Sequence, residues 1–282
     1  MHVLVIGGAG YVGGVTAERL LDDGHEVTIL DDLSTGHSEA ADPRAKLISG
    51  SVLDPATLGR TFAESRYDAV MHFAAKSIVP QSMQEPGRYF ANNISGVITL
   101  LTAMLPQGVS RLVFSSTAAV YGEPAVVPIP ETSPLQPNNP YGESKAAVER
   151  LLPWYASQNG LKYAALRYFN AAGATERVGE WHRPETHLIP LAMQSVLGQR
   201  GPLTIYGTDY PTADGTAVRD YVHVRDLADA HVRALNHLME PEATSIVCNL
   251  GSSTGHSVRE VLAAVERAAG RPVPIELGDR RT

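Results

Sequence analysis

The amino-acid sequence predicts an α/β protein built around a doubly wound parallel sheet, followed by a smaller C-terminal domain. Over the first 170 residues, short apolar segments rich in β-branched residues alternate with longer segments of helical periodicity, which indicates βαβ units. A parallel sheet of this kind is covered by helices on both faces. The predicted strands are His2–Ile6, Glu26–Leu30, Ala45–Ile48, Ala69–Phe73, Arg111–Ser115, Tyr163–Arg167 and Ser245–Asn249.

The predicted helices lie near residues 11–22, 55–65, 87–105 and 141–158. Pro153 falls late in the fourth helix and is expected to kink or end it, because proline lacks a backbone donor. The stretches 173–184 and 201–215 are rich in Gly, Pro and Asp, which predicts a second domain of loops and short helices. A capping box at Ser257–Glu260 marks the start of a final helix.

These patterns predict two domains. Residues 1–170 form the first, together with a returning segment near 218–251. Residues 171–217 and 252–282 form the second.

Composition narrows the class of protein. Hydrophobic residues make up 44% of the chain, but no apolar run approaches the ~20 residues needed to span a bilayer, so no membrane association is expected. Cys248 is the single cysteine, which excludes an intrachain disulfide and favours a reducing cytoplasm, and the first residues show no basic leader. The net charge of −7 argues against nonspecific nucleic-acid binding.

A glycine-rich turn follows the first predicted strand. Gly7, Gly10 and Gly13 permit a tight turn, close approach of backbone amides to a pyrophosphate, and close packing of the next helix. The second strand leads into Asp31, which can bind a ribose 2′-hydroxyl and would repel a 2′-phosphate. The context predicts a Rossmann-type site for NAD, the alternative being an ordinary glycine-rich turn.

Tyr141 and Lys145 stand at i and i+4 at the head of a predicted helix that Asn138 or Asn139 can cap. A tyrosine has a pKa of ~10, but a nearby ammonium and an oxidised nicotinamide both favour the phenolate. Such a phenolate can take a proton from an alcohol. The hydroxyls of Ser115–Thr117, at a strand end, can orient that alcohol, so the pattern predicts an alcohol-oxidation site.

Several segments resemble, in this order, the pattern of the UDP-glucose 4-epimerases within the extended short-chain dehydrogenase/reductases: GGAGYVG, DDLSTG, HFAA, SSTAAVYG, YGESK, RYFNAAGA, ETHLIPL and DGTAVRDYVHVRDLADAH. The resemblance runs over essentially the whole chain and is most specific in residues 207–231. It implies NAD as cofactor, a C-terminal domain that binds substrate, and interconversion of UDP-galactose and UDP-glucose through a 4-keto sugar.

The resemblance also implies site residues. Tyr141 is the base, Lys145 holds the nicotinamide ribose and lowers the tyrosine pKa, and Thr117 holds the sugar hydroxyl, with Ser116 as second choice for that role. The implied cofactor contacts are Gly7, Gly10, Tyr11, Val12, Gly13, Asp31, Asp32, Val52, Phe73, Ala74, Asn92, Lys145 and Tyr168. Phe73 and Ala74 are equally compatible with core packing.

Contacts to the UDP-hexose are implied for Asn170, His187, Leu188, Tyr206, Arg219 and Arg281. The guanidinium of Arg219 matches diphosphate oxygens with paired hydrogen bonds, although an ion pair with Asp220 or Asp226 is the ordinary alternative. His182, Glu185 and His187 are close in sequence, but their spacing fits no common metal motif, and no metal is expected.

Two departures from the family stand out. Ser51 replaces a common aspartate, so adenine recognition is expected to shift to Val52 or to backbone groups. Relatives also continue beyond Thr282, so the substrate domain is expected to be incomplete. A homodimer through the helices near 87–105 and 141–158 is implied by the family.

Three other activities remain open. An epimerase of UDP-glucuronate or of UDP-N-acetylhexosamines shares these motifs. A sugar-nucleotide 4,6-dehydratase typically has Asp-Glu after the Ser/Thr, where this chain has Ala118-Ala119. A non-catalytic NAD sensor tends to lose the Tyr/Lys pair that is present here.

Overall fold

A computed structural model describes residues 1–182 and 184–280, and this part of the chain contains twelve strands and nine α-helices. The strands are β1 (His2–Ile6), β2 (Glu26–Asp31), β3 (Lys46–Ser49), β4 (Ala69–His72), β5 (Arg111–Thr117), β6 (Lys162–Tyr168), β7 (Asn170–Ala172), β8 (Leu203–Tyr206), β9 (Val218–His223), β10 (Ile246–Leu250), β11 (Gly255–Ser257) and β12 (Ile275–Gly278). The helices are α1 (Tyr11–Asp22), α2 (Pro55–Glu64), α3 (Val79–Gln84), α4 (Pro86–Phe90), α5 (Gly96–Met104), α6 (Pro140–Asn159), α7 (Leu188–Val196), α8 (Val224–Met239) and α9 (Val258–Ala269).

The central sheet has seven parallel strands in the order β10-β6-β5-β4-β1-β2-β3 among the described residues. Its two faces carry separate apolar clusters. Leu58, Leu100 and Leu152, from α2, α5 and α6, cover one face. Leu20 and Leu235, from α1 and α8, cover the other. Burying such a side chain contributes roughly 1.5–3 kcal/mol, so this two-sided core fixes the sheet that carries the site.

The predicted strands of the central sheet are confirmed, with ends that shift by one or two residues. β5 is two residues longer than predicted and carries Thr117. The helix predicted near 87–105 is confirmed as a continuous helical stretch over 86–104, but a π-helical turn at Ala91–Ser95 divides it into α4 and α5. The helix α6 does not end at Pro153 but continues to Asn159, since proline removes only one backbone donor.

The remaining strands were missed by the sequence analysis. β11, β9 and β7 form a three-stranded sheet, and β12 pairs with β8. α7 and α9 pack together through Ala192, Val196 and Leu262. The capping box of Ser257 and Glu260 begins α9 as predicted. The proposed domain limits stay a prediction.

The part of the chain that the structure describes contains no helix long and apolar enough to cross a membrane.

Candidate active site

One large cleft lies at the carboxyl edge of the central sheet and has a volume of about 1370 Å³. Ligands of open α/β sheets bind at this edge. The lining begins at the glycine turn after β1 and includes the ends of β2, β4, β5 and β6, the head of α6, and the rim formed by β7 and β9. The cleft therefore joins the predicted NAD site at the glycine turn with the predicted alcohol-oxidation site at Tyr141 and Lys145.

Two positions of the glycine turn, Gly7 and Gly13, leave no space for a side chain. Gly7 has φ +82°, and a Cβ at this position would stand 2.5 Å from the backbone nitrogen of Ala74. A Cβ on Gly13 would overlap the carbonyl of Gly7. Helix α1 starts after Gly10 without a side-chain cap, so its first amides are available to an anion. This cradle fits a pyrophosphate.

Asp31 closes the cradle at the end of β2. Its carboxylate accepts hydrogen bonds from the backbone nitrogens of Ala9 at 3.0 Å and Leu33 at 2.9 Å. Burial raises the pKa of Asp31, and these two amide bonds oppose that shift. The carboxylate oxygens have lone pairs left to accept ribose hydroxyls.

The other cofactor candidates also line the cleft: Tyr11, Val12, Asp32, Val52, Phe73, Ala74, Asn92, Lys145 and Tyr168. Asn92 stands on the π-helical turn, a feature frequent at functional sites. Phe73 also contacts the core cluster under α1 and α8, so the two interpretations offered for it are compatible. Val52 lines the cleft, whereas the Ser51 hydroxyl accepts a hydrogen bond from the backbone nitrogen of Leu53.

Tyr141 stands in the first turn of α6, where the side chain of Asn139 caps the helix through the backbone nitrogen of Gly142 at 2.8 Å. Burial raises the pKa of the Tyr141 phenol, Tyr168 raises it further, and the hydroxyl of Thr117 opposes the shift. The phenol is therefore protonated at neutral pH unless positive charge is brought to it.

Lys145 is 2% exposed and donates a hydrogen bond to the carbonyl of Ser115 at 2.7 Å. Burial lowers its pKa from 10.5 to about 7, although Glu149 opposes the shift. From the sequence, Lys145 was predicted to be a full ammonium that favours the Tyr141 phenolate. Burial makes that charged form less favourable than the sequence predicts.

We expect Lys145→Met to stabilise the fold below pH 7. The folded pKa lies below the unfolded value of 10.5, so the cost of burying the ammonium is full below pH 7 and is removed as the pH rises towards 10.5. The variant should gain ~1–2 kcal/mol in free energy of unfolding at pH 6. This gain should become steadily smaller as the pH rises above 7. Urea unfolding at pH 6, 8 and 10 measures this; Lys46→Met, at an exposed lysine, is the control and should show no such gain. A gain independent of pH would contradict the assignment.

Ser116 requires a correction. Alternate residues of a strand point to opposite faces, so Thr117 faces the cleft whereas Ser116 is fully buried and donates to Glu149. Ser116 is therefore wrong as the second choice for the hydroxyl that orients substrate.

A buried ionic network lies behind this strand, and the sequence analysis missed it. Arg167 donates to the carboxylate of Glu149 at 2.5–3.0 Å, to the hydroxyl of Tyr121 at 2.7 Å and to the carbonyl of Glu131 at 3.0 Å. The Glu149 and Arg167 side chains are only 4% and 6% exposed. Glu149 follows Lys145 by one helical turn, a spacing visible in sequence, but its partner comes from a distant strand. The network fixes α6 against β5 and β6.

The substrate candidates divide into two groups. Asn170, His187 and Arg219 line the cleft. Arg219 is exposed, donates to the carbonyl of Val218 at 2.7 Å, and has no ion pair with Asp220 or Asp226 among the described residues.

Leu188 and Tyr206 are not among the described residues that line the cleft, and their role as substrate contacts stays a prediction. Leu188 packs with α9, and Tyr206 lies at the end of β8. Both stand on the smaller sheets and helices that the sequence analysis did not resolve. Arg281 lies outside the described residues.

The model of the NAD dependent epimerase/dehydratase family matches residues 3–251. The chain belongs to this family. NAD is accordingly its cofactor, and the glycine cradle with Asp31 provides a site that fits it.

Individual family members can be aligned with this chain over its whole length. The UDP-glucose 4-epimerase of Lacticaseibacillus casei is 51% identical, over 100% of this chain and 85% of its own length. A crystal structure of UDP-glucose 4-epimerase from Brucella ovis in complex with NAD is 44% identical with a TM-score of 0.97, covering 100% of this chain and 86% of that one. The enzyme from Bifidobacterium longum in complex with NAD+ and UDP is 37% identical with a TM-score of 0.94, covering 100% and 87%.

Proposed function

We propose that the chain catalyses NAD-dependent 4-epimerisation of a UDP-hexose and interconverts UDP-galactose and UDP-glucose through a 4-keto sugar. The observation that carries this proposal is the meeting of Tyr141, Lys145 and Thr117 with the glycine cradle in one cleft. Relatives with 45–51% identity that are named UDP-glucose 4-epimerase support it.

NAD+, when bound, supplies the acceptor for the C4 hydrogen, returns it to the opposite face, and adds positive charge that favours the Tyr141 phenolate. Tyr141 takes the proton from the C4 hydroxyl and returns it when the alcohol is rebuilt. Lys145, held by the carbonyl of Ser115, stands on the same face of α6 and adds positive charge in its protonated form. Thr117 accepts from the backbone nitrogen of Ala119 at 3.2 Å and can donate its own proton to the sugar oxygen.

Epimerisation requires the sugar to turn while its nucleotide stays fixed. Asn170 is held by the carbonyl of Asp220 at 2.9 Å, and Arg219 stands beside that residue on β9. An exposed guanidinium on a fixed strand is suited to a diphosphate. We propose that Asn170, His187 and Arg219 hold the UDP group and leave the hexose free to rotate.

The turn after β5 disfavours a 4,6-dehydratase. Ala118 and Ala119 line the cleft beside Thr117, and alanine carries no group that can move a proton for elimination of water. The Tyr141–Lys145 pair likewise disfavours a non-catalytic sensor.

We infer a cytoplasmic homodimer, with α5 and α6 at the interface. Ile98 and Trp154 on these helices are 39% and 70% exposed, and exposed apolar side chains on neighbouring helices are typical of such contacts.

The test is incubation with UDP-galactose and a catalytic amount of NAD+, followed by NMR of the anomeric protons. We expect UDP-glucose to accumulate to equilibrium without net consumption of NAD+. A stable 4-keto-6-deoxy product would instead indicate a dehydratase, and conversion of UDP-N-acetylgalactosamine or UDP-galacturonate alone would indicate another UDP-sugar epimerase.

A further inference from the structure

Four side chains between β7 and α7 form a compact group at the rim of the cleft: Glu180, His182, Glu185 and His187, here named the rim cluster. One ligand atom of each lies within 4.8 Å of the others. We propose that the rim cluster binds a divalent first-row transition metal ion, for which Zn²⁺ is the probe.

The two carboxylates of the rim cluster stand close together with little solvent. The side chains of Glu180 and Glu185 are 10% and 8% exposed, and an Oε1 atom of each lies 2.8 Å from Nδ1 of His187. Burying two carboxylates in one place is costly unless a cation compensates them. A divalent ion supplies that charge and replaces the shared imidazole proton.

His182 provides an independent observation. Its Nδ1 atom is buried and has no hydrogen-bond partner within residues 1–182 and 184–280, although Oε1 of Glu180 lies 3.5 Å away. Glu180 thus gives this nitrogen a charge contact but no well-directed hydrogen bond, and histidine is the commonest metal ligand in proteins. The nitrogen faces the same carboxylate that His187 contacts.

The donor set selects the class of ion. Two imidazoles and two carboxylates suit Zn²⁺ and related first-row ions, whereas Mg²⁺ and Ca²⁺ prefer oxygen ligands throughout. Ligand atoms around a tetrahedral Zn²⁺ stand roughly 3.4 Å apart, so the widest pair must close by about 1.4 Å, which side-chain rotation can supply.

No metal was predicted from the sequence, since the spacing of His182, Glu185 and His187 fits no common metal motif. The fold adds Glu180 as a fourth donor. Four donors within eight residues of irregular chain follow no helical or strand periodicity, so spacing alone is a poor guide here.

The rim cluster also connects to the cofactor side of the cleft. Trp181 lies between two of its members, and its carbonyl is 2.9 Å from Nε2 of His37. The rings of His37 and Trp181 are stacked with centroids 4.0 Å apart. A metal ion in the rim cluster would therefore hold this loop against the turn after β2.

The experiment uses the whole chain, stripped with a chelator and dialysed into metal-free buffer. Zn²⁺ is titrated by calorimetry, and the metal retained after gel filtration is counted by mass spectrometry. Glu180→Gln and His182→Gln test the cluster, since both keep the size and polarity of the side chain. His256→Gln, at an exposed histidine on β11, is the control.

We expect one equivalent of Zn²⁺ in the wild type and in His256→Gln, and at least tenfold weaker binding in Glu180→Gln and His182→Gln. X-ray absorption should show only nitrogen and oxygen ligands at about 2.0–2.2 Å. Absence of a retained equivalent in the wild type would overturn the proposal. So would equal binding by all four proteins, because the ion would then lie elsewhere. His187 belongs to both proposals, but the metal site is tested by bound Zn²⁺ and the proposed function by the sugar product, so failure of one is distinguishable from failure of the other.

Discussion

Replacing Tyr141 by phenylalanine is expected to reduce the turnover number by about 10²–10⁴-fold, which is the usual contribution of a positioned proton-transfer group. The change removes only the phenol oxygen, whose ionisation burial already makes unfavourable by raising its pKa. The ring remains, so packing at the head of α6 is preserved. The loss should therefore appear in kcat and not in binding.

The measurement pairs initial rates with calorimetric binding of UDP. The residues proposed for UDP, Asn170 and Arg219, stand on β7 and β9 and not on α6, so the Kd for UDP should change less than twofold. Tyr163→Phe is the matched control, since Tyr163 is a buried tyrosine on β6 outside the cleft lining and should leave kcat near the wild-type value. Normal turnover by Tyr141→Phe would refute the proposed role.

Replacing Glu149 by leucine is expected to cost 3–5 kcal/mol in free energy of unfolding, because it leaves Arg167 buried and without its anion. Ser116 loses its acceptor at the same time. Desolvation of an unpaired guanidinium outweighs any gain from the apolar leucine. The effect exceeds that of most single substitutions.

The double variant Glu149→Leu with Arg167→Met separates this explanation from simple overpacking. Replacing both members of a buried ion pair by apolar side chains is often close to neutral, so the second change should recover most of the lost stability. Urea unfolding of the two single variants and the double variant measures the coupling. A double variant that is less stable than Glu149→Leu would contradict the proposed cost of an unpaired arginine.

The central sheet could be predicted because five of its strands, β1, β2, β4, β5 and β6, are buried on both faces and carry continuous apolar runs. β7, β8, β9, β11 and β12 could not, since they have three to six residues and most of their positions are exposed or only partly buried. Short, half-exposed strands leave little periodic signal. The interruption between α4 and α5 was missed for a related reason, because a π-helical turn keeps the composition of a helix.

In the candidate site, a residue could be predicted from the sequence where a single turn or helix places its side chain. The turn at Gly7 and the helical spacing of Tyr141 and Lys145 can each be recognised from a few residues of one segment. Contacts across the fold left no such signal. The sequence SST shows three hydroxyls, and only the strand's alternation decides that Thr117 faces the cleft while Ser116 does not.

The edge strand β10 has a consequence for the order in which the protein is made. Asn249 on β10 accepts from the hydroxyl of Tyr121 and donates to the carbonyl of Ile129, both at 2.7 Å, across 120 or more positions of chain. Synthesis runs from the N-terminus, so the segment from Tyr121 to Ile129 gains these bonds only after β10 has been made. The wall of the cleft that this segment forms is therefore among the last parts of the protein to be fixed.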